Sequence, residues 1–171
     1  DLNLPAVPSL SVTLDTFHTE TTVTWGIDAK EDQIVLNGLE ITGSAGQRVS
    51  RFLHLIRADR PPVRVVSDNN FPTAAGLASS SSGFAALALA ATRAAGVQLS
   101  LPQLSVLARR GSGSACRSLW GGWVVWPAGQ RADGMDSHGT PLASQDHWDV
   151  SILVATVSSA PKPVGSTAGM L

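Results

Sequence analysis

A single globular domain of mixed strands and helices is the fold class the sequence predicts, on three observations. A length of 171 residues suits one domain with a real core rather than two. Hydrophobic residues make up 43% of the chain and charged residues 15%, enough apolar surface to offset the entropy of ordering. The apolar pattern changes period along the chain, from alternation in the first forty residues to helical stripes and back.

The elements follow in order. Leu10–Leu14, Thr21–Trp25 and Gln33–Leu36 alternate apolar and polar residues between polar turns such as 27–30 and Asn37-Gly38. They read as an antiparallel meander. From Gly46 to Asp59, Val49, Phe52, Leu53, Leu55 and Ile56 form a helical stripe that stops before Pro61-Pro62. Val63–Ser67 is a short strand, and 69–73 is a turn leading into a glycine-rich approach. A long Ala-rich helix, Ser79–Ala95, follows, with Gly96 as its stop. Ser100 caps the next helix, with Pro102 in its first turn, and Gly111 ends it. A Ser/Gly loop, a strand from Leu119 to Trp126 broken by Gly121-Gly122, a polar stretch 127–147 and a buried strand Asp149–Val157 complete the chain.

Composition removes several classes of function. Twelve Lys and Arg against thirteen Asp and Glu leave a net charge of -1, without the global attraction to phosphate backbones that nucleic-acid binders show, so any anion site must be local. Ten of those twelve cations are arginine, the side chain that holds carboxylates and phosphates bidentately. The single cysteine, Cys116, forbids an internal disulfide and fits a reducing cytosol. No metal-ligand spacing links His18, His54, His138 and His147, so no metal is expected on protein ligands. The longest apolar run, Phe84–Ala91, is far short of the roughly 20 residues of a membrane span. No G-x-S-x-G elbow marks a hydrolase. Trp120, Trp123 and Trp126 read as packing or interface residues rather than a base-stacking platform.

Two segments can carry chemistry. Pro72-Thr73-Ala74-Ala75-Gly76-Leu77-Ala78-Ser79-Ser80-Ser81-Ser82-Gly83 is a small-residue loop opening onto a helix. Its amides and the helix N-terminus suit a phosphate, although a Ser-capped helix packed closely on a sheet has the same composition. It lacks the Walker lysine. The second segment, Arg109-Arg110-Gly111-Ser112-Gly113-Ser114-Ala115-Cys116-Arg117-Ser118, offers hydroxyls, flexible amides and an arginine clamp, or else is a solvated loop. Together the two favour a site for two phosphorylated molecules. Cys116 reads as a small buried thiol rather than a nucleophile.

These residues resemble a known family. Asn69–Ser80 is similar to the phosphate loop of the GHMP kinase superfamily in the form used by diphosphomevalonate decarboxylases. Arg109–Gly122 resembles the second signature, Lys162–Met170 a third, and Leu2–Leu14 the early strand region. The resemblance implies an α+β fold: the GHMP N-terminal domain over residues 1–171, a two-layer sandwich like domain 2 of ribosomal protein S5, with a mainly antiparallel sheet and helices on one face. It implies ATP-dependent decarboxylation of mevalonate 5-diphosphate to isopentenyl diphosphate, with ADP, phosphate and carbon dioxide, the tertiary 3-hydroxyl being phosphorylated first. It also implies a cytoplasmic homodimer, with no nucleic acid and no membrane among its partners. ATP is the co-substrate and Mg2+ arrives with the nucleotide. Asn70, Pro72, Gly76, Leu77, Ala78, Ser79 and Ser80 would hold ATP. Arg48, Ser112, Gly113, Ser114, Ala115, Cys116, Arg117, Ser166 and Thr167 would hold the substrate, and Arg117 would orient the departing carboxylate as the catalytic residue.

The sequence also departs from the family. A K-Y-W-G-K-like segment upstream and a catalytic aspartate downstream have no counterpart in these 171 residues, and Val7-Pro8-Ser9 replaces an Asn-Ser-Ser turn. The chain is expected to be the N-terminal half of the enzyme with its own start trimmed, inactive or nearly so alone. The alternatives are a GHMP-type kinase acting on mevalonate or a related hydroxy acid without decarboxylation, and a non-catalytic relative.

Overall fold

In the computed structural model, which describes residues 2–71 and 79–154, local sequence signals set the ends of most elements. Asn37 and Gly38 both adopt positive φ (49° and 75°), the pair that a two-residue type I′ hairpin demands. They join β3 (Gln33–Leu36) to β4 (Leu39–Glu40), with Leu36 opposite Leu39. Helix α1 (Gly43–His54) starts three residues before the expected Gly46 and ends five before Asp59, leaving Leu55 and Ile56 in its terminal turn. Helix α2 (Ser79–Ala94) stops at Gly96, whose φ of 69° lets the Val97 amide reach back to the Thr92 carbonyl at 2.9 Å, a Schellman closure. Helix α3 (Leu101–Gly111) carries a full capping box between Ser100 and Gln103.

The strand order corrects the expected meander. β2 (Thr19–Trp25) and β3 are not neighbours: β5 (Val63–Asn69) lies between them, antiparallel to β2 and parallel to β3, giving the order β2-β5-β3-β4. The reason is burial, because Val63 and Val65 of β5 are the most deeply buried residues of this sheet and its centre is the driest position. β1 (Ser9–Val12) leaves this sheet altogether and pairs antiparallel with β6 (Trp123–Trp126) in a second sheet, whose third strand is β7 (Thr140–Ala143), in the order β1-β6-β7. β6 begins only after Gly122, whose φ is 71°, rather than at Leu119. β7 falls inside the stretch read as polar loop, and its Pro141 is tolerated because β7 is an edge strand.

Two further expectations change. The Ser/Gly loop is a short 3-10 turn, Gly113–Arg117, with Ala115 and Cys116 fully buried. Residues 149–154 are exposed and form no strand, and 155–157 lie outside the described residues. Val150, Ile152 and Leu153 have the composition of a buried strand, but no described strand pairs with them, and an unpaired strand is unstable in water. No described helix is long and apolar enough to cross a membrane.

The core lies between the four-stranded sheet and the helices. Ala88 and Ala91 of α2 have no exposed surface, and their small side chains bring α2 close to β2, where Trp25 Nε1 donates to the Ala91 carbonyl at 3.3 Å. Phe84 packs edge-on against Phe52 of α1 with ring centroids 5.1 Å apart. Two arginines are interior. Arg109 is fully buried and donates to the carbonyls of Leu2, Gly134 and Ser137, tying both flanks of the second sheet to α3.

Arg60 grips Asp32 with two nitrogens at 2.7 and 2.5 Å, and Asp32 also accepts from Ser50 Oγ at 2.5 Å and the Val63 amide at 3.2 Å. Burial works to raise the Asp32 carboxyl, but Arg60, Ser50 and the Val63 amide outweigh it and hold it below the usual carboxylate value. Its stabilisation is therefore present above the unfolded value near ~4 and is lost as pH falls through the lower folded value. Asp32→Asn leaves Arg60 without its partner, so it should cost about 3 kcal/mol at neutral pH and flatten the acid limb of a stability profile measured by denaturant titration.

Candidate active site

The site grows from the first turn of α2 and the 3-10 turn that follows α3. Helix periodicity turns Ser80 and Ser81 toward that turn, where the Ser80 hydroxyl meets Ser112 at 3.2 Å and the Ser81 hydroxyl meets Ser114. The two serine segments, read separately in the sequence, are thus bonded directly to each other. Arg48 reaches the same junction from α1, donating to the Gly111 carbonyl at 2.6 Å while its guanidinium lies 4.9 Å from the centre of the Phe84 ring. Burial, with Arg51 nearby, lowers the Arg48 pKa.

Gly111 makes this junction possible. A Cβ there would stand 2.1 Å from Phe84 Cδ1, so only glycine lets the end of α3 touch the core at this point. The first turn of α2 also brings the positive end of a sixteen-residue helix dipole to this point. An anion placed there meets that positive end and hydroxyls together.

A cleft of about 1350 Å3 opens beside this junction. Ser81, Ser82, Ser114, Arg117 and Ser118 line one side of it, and residues 11–19 and 148–154 border the rest. Arg117 donates from one guanidinium nitrogen to Ser9 Oγ and lies 5.6 Å from the centre of the Trp126 ring. Its Nε is buried with no hydrogen-bond acceptor among the described residues. A cationic, partly desolvated donor beside an array of hydroxyls is a binding arrangement for carboxylate or phosphate.

The remaining sequence-expected residues divide clearly. Asn70 clamps the cleft border, accepting from the His18 amide at 2.8 Å and donating to the Thr16 carbonyl at 2.7 Å, so both ends of its side chain are engaged within the protein. Ser79 begins α2, and Gly113 lies in the 3-10 turn. Ala115 and Cys116 are fully buried, which leaves only their backbone for a ligand. Pro72, Gly76, Leu77, Ala78, Ser166 and Thr167 lie outside the described residues. Sequence reading did not single out Ser81 and Ser82 within the serine run, and Thr19 escaped it. The Thr19 hydroxyl bonds Asn69 Oδ1 at 2.6 Å and Ser82 Oγ at 2.8 Å. The helical repeat through the run was a usable signal for Ser81, whereas nothing local marked Thr19.

Burial pushes the Cys116 thiol up to about 12, against the pull of Arg117 and Arg109. The native protein should therefore resist iodoacetamide at pH 8, with alkylation followed by mass spectrometry appearing only on unfolding. No cluster of three or more His, Cys, Asp or Glu suited to a metal ion occurs among the described residues.

Comparison with known proteins adds relatives. The Diphosphomevalonate decarboxylase-like N-terminal domain family matches residues 1–139. Diphosphomevalonate decarboxylase of Bos taurus is 46% identical over 190 aligned residues, covering 99% of this chain and 46% of that protein. The chain spans about half the length of the curated relatives it matches. Among solved structures, mevalonate diphosphate decarboxylase from Staphylococcus aureus superposes with a TM-score of 0.77 at 39% identity, over 91% of this chain and 50% of that one. A structure described as MDDEF in complex with MVAPP, AMPPCP and magnesium superposes with a TM-score of 0.74 at 46% identity, over 82% of this chain and 43% of that one.

Proposed function

The chain belongs to the diphosphomevalonate decarboxylase-like family, and from that premise we propose that the complete protein converts mevalonate 5-diphosphate and ATP to isopentenyl diphosphate, ADP, phosphate and carbon dioxide. The observation that carries the reading is the direct bonding of the two serine segments, Ser80 to Ser112 and Ser81 to Ser114, at one end of a cleft that holds Arg117. Phosphoryl transfer needs donor and acceptor held together, and a junction of two anion-binding segments supplies that proximity.

On this reading the α2 N-terminus with Ser79 and Ser80 faces the nucleotide phosphates, together with Pro72, Gly76, Leu77 and Ala78, while Asn70 shapes the border. Ser112, Ser114 and the backbone of Gly113, Ala115 and Cys116 face the substrate, with Ser166 and Thr167 joining them. Arg48 acts behind them by holding the Gly111 carbonyl. Arg117 pairs with the substrate carboxylate and keeps the breaking carbon–carbon bond aligned with the departing phosphate. Magnesium, bound with the nucleotide, supplies charge neutralisation at the transferring phosphoryl group. The described residues fit this division, because their hydroxyls suit phosphate oxygens.

The complete protein, given ATP and magnesium, should release ADP with mevalonate 5-diphosphate and not with mevalonate or its monophosphate. A preference for mevalonate in the same coupled assay would replace this reading with that of a kinase.

A further inference from the structure

Ser9 and Trp126 stand directly opposite each other in the β1–β6 ladder, so their side chains share one face of the second sheet. Both meet Arg117: Ser9 Oγ accepts from its guanidinium, and the Trp126 ring lies beneath it at 5.6 Å. An arginine side chain has several rotamers of similar energy, and these two contacts fix one end and the plane of the group. The indole is held in turn. Trp126 Nε1 donates to Ser137 Oγ at 3.0 Å, Ser137 Oγ donates to the Pro127 carbonyl at 2.9 Å, and the Ser137 carbonyl accepts from the fully buried Arg109. Gly113 lets the 3-10 turn lie on the ring, since a Cβ there would come within 3.0 Å of Trp126 Cη2.

We propose that Trp126, with Ser9 across the ladder, is a positioning residue that sets the plane of the Arg117 guanidinium toward the substrate carboxylate. The sequence reads Trp126 as a packing or interface residue, and its burial agrees with packing. The additional role comes from what its π-face meets. A ring of this kind attracts a partly desolvated guanidinium and resists its rotation, and tryptophan does so best among the aromatic side chains. The arrangement leaves Arg117 Nε buried without a protein acceptor among the described residues, a donor that a ligand oxygen would complete.

This inference rests on the function proposed above, and the test separates the two. In the complete protein, Trp126→Leu should lower kcat for decarboxylation about tenfold with the KM for ATP unchanged. Trp126→Phe, which keeps a ring but loses the bond to Ser137, should lose less, and Ser9→Ala should lose several-fold. The double variant Arg117→Ala/Trp126→Leu should be no slower than Arg117→Ala alone, because a residue that acts only through Arg117 has nothing to position once Arg117 is gone. A merely structural role would lower the thermal midpoint and leave kcat, or would add its loss to that of Arg117→Ala, and either result overturns the proposal. If Trp126→Leu does not fold, Ser9→Ala and its double with Arg117→Ala decide the matter. If Arg117→Ala itself keeps full turnover, the functional reading fails. If it loses turnover while Trp126→Leu and Ser9→Ala do not, the positioning inference alone fails.

Discussion

Arg117→Ala in the complete protein should reduce turnover of mevalonate 5-diphosphate by about 10²–10³ while leaving ATP affinity unchanged. The expectation follows from where the side chain sits. Arg117 lines the cleft but makes none of the bonds at the junction of α2 and the 3-10 turn, where Ser80, Ser81, Ser112 and Ser114 meet. On the proposed reading its loss removes a charged contact to the substrate carboxylate and leaves the hydroxyls of that junction in place. Lysine would restore the charge but not the planar fork, so Arg117→Lys should recover only part of the rate. Steady-state kinetics with each substrate varied separately would check this. Equal losses in turnover and ATP affinity would assign Arg117 to the nucleotide instead.

Gly111→Ala should be strongly destabilising. The added carbon would meet Phe84 at 2.1 to 2.8 Å, at the root and near edge of a ring wedged between Phe52 and Arg48. Phe84 has nowhere to go, because it is buried in the main core and both neighbours are fixed. Relief must come from moving the end of α3, which carries the Arg48 hydrogen bond and the start of the 3-10 turn. The expected cost is about 3 kcal/mol in denaturant titration, with a rise in KM for the diphosphate as Ser112 and Ser114 shift. Gly121 is the control, because a Cβ there meets nothing within 4 Å and Gly121→Ala should stay within about 0.5 kcal/mol.

Local chemistry made much of the fold legible in advance. Ser100 with Gln103, Gly96 after α2 and Asn37-Gly38 each solve a backbone problem within a few residues, and each was readable from the chain. Pairings between distant segments were not. Nothing near Gln33–Leu36 announces that Val63–Asn69 will lie alongside it, and nothing near Ser9 announces Trp126, because sheet order is decided by which strands can be buried together. The burial of Arg109 was not legible for a similar reason. An arginine defaults to solvent unless acceptors surround it, and here the acceptors are carbonyls supplied from residues 2, 134 and 137.

The site divides the same way. Ser80, Ser112, Ser114 and Arg117 carried a visible signal in two unusual small-residue segments, and the structure brings them to one cleft and its rim. Ser81 was hidden inside a run of identical residues until the helix gave it a direction. Thr19 reaches the cleft, and Ser9 and Trp126 reach Arg117, only through sheet pairings, so no local pattern could have named them. Asn70, expected at the nucleotide, has its side chain bonded to the backbone of residues 16 and 18 at the cleft border.

The central claim is tested most directly by measuring carbon dioxide and ADP released together when the complete protein is given ATP, magnesium and mevalonate 5-diphosphate. The account predicts the two in equal amounts, with Arg117→Ala lowering both. ADP released without carbon dioxide would contradict it and would leave a kinase built on the same two serine segments.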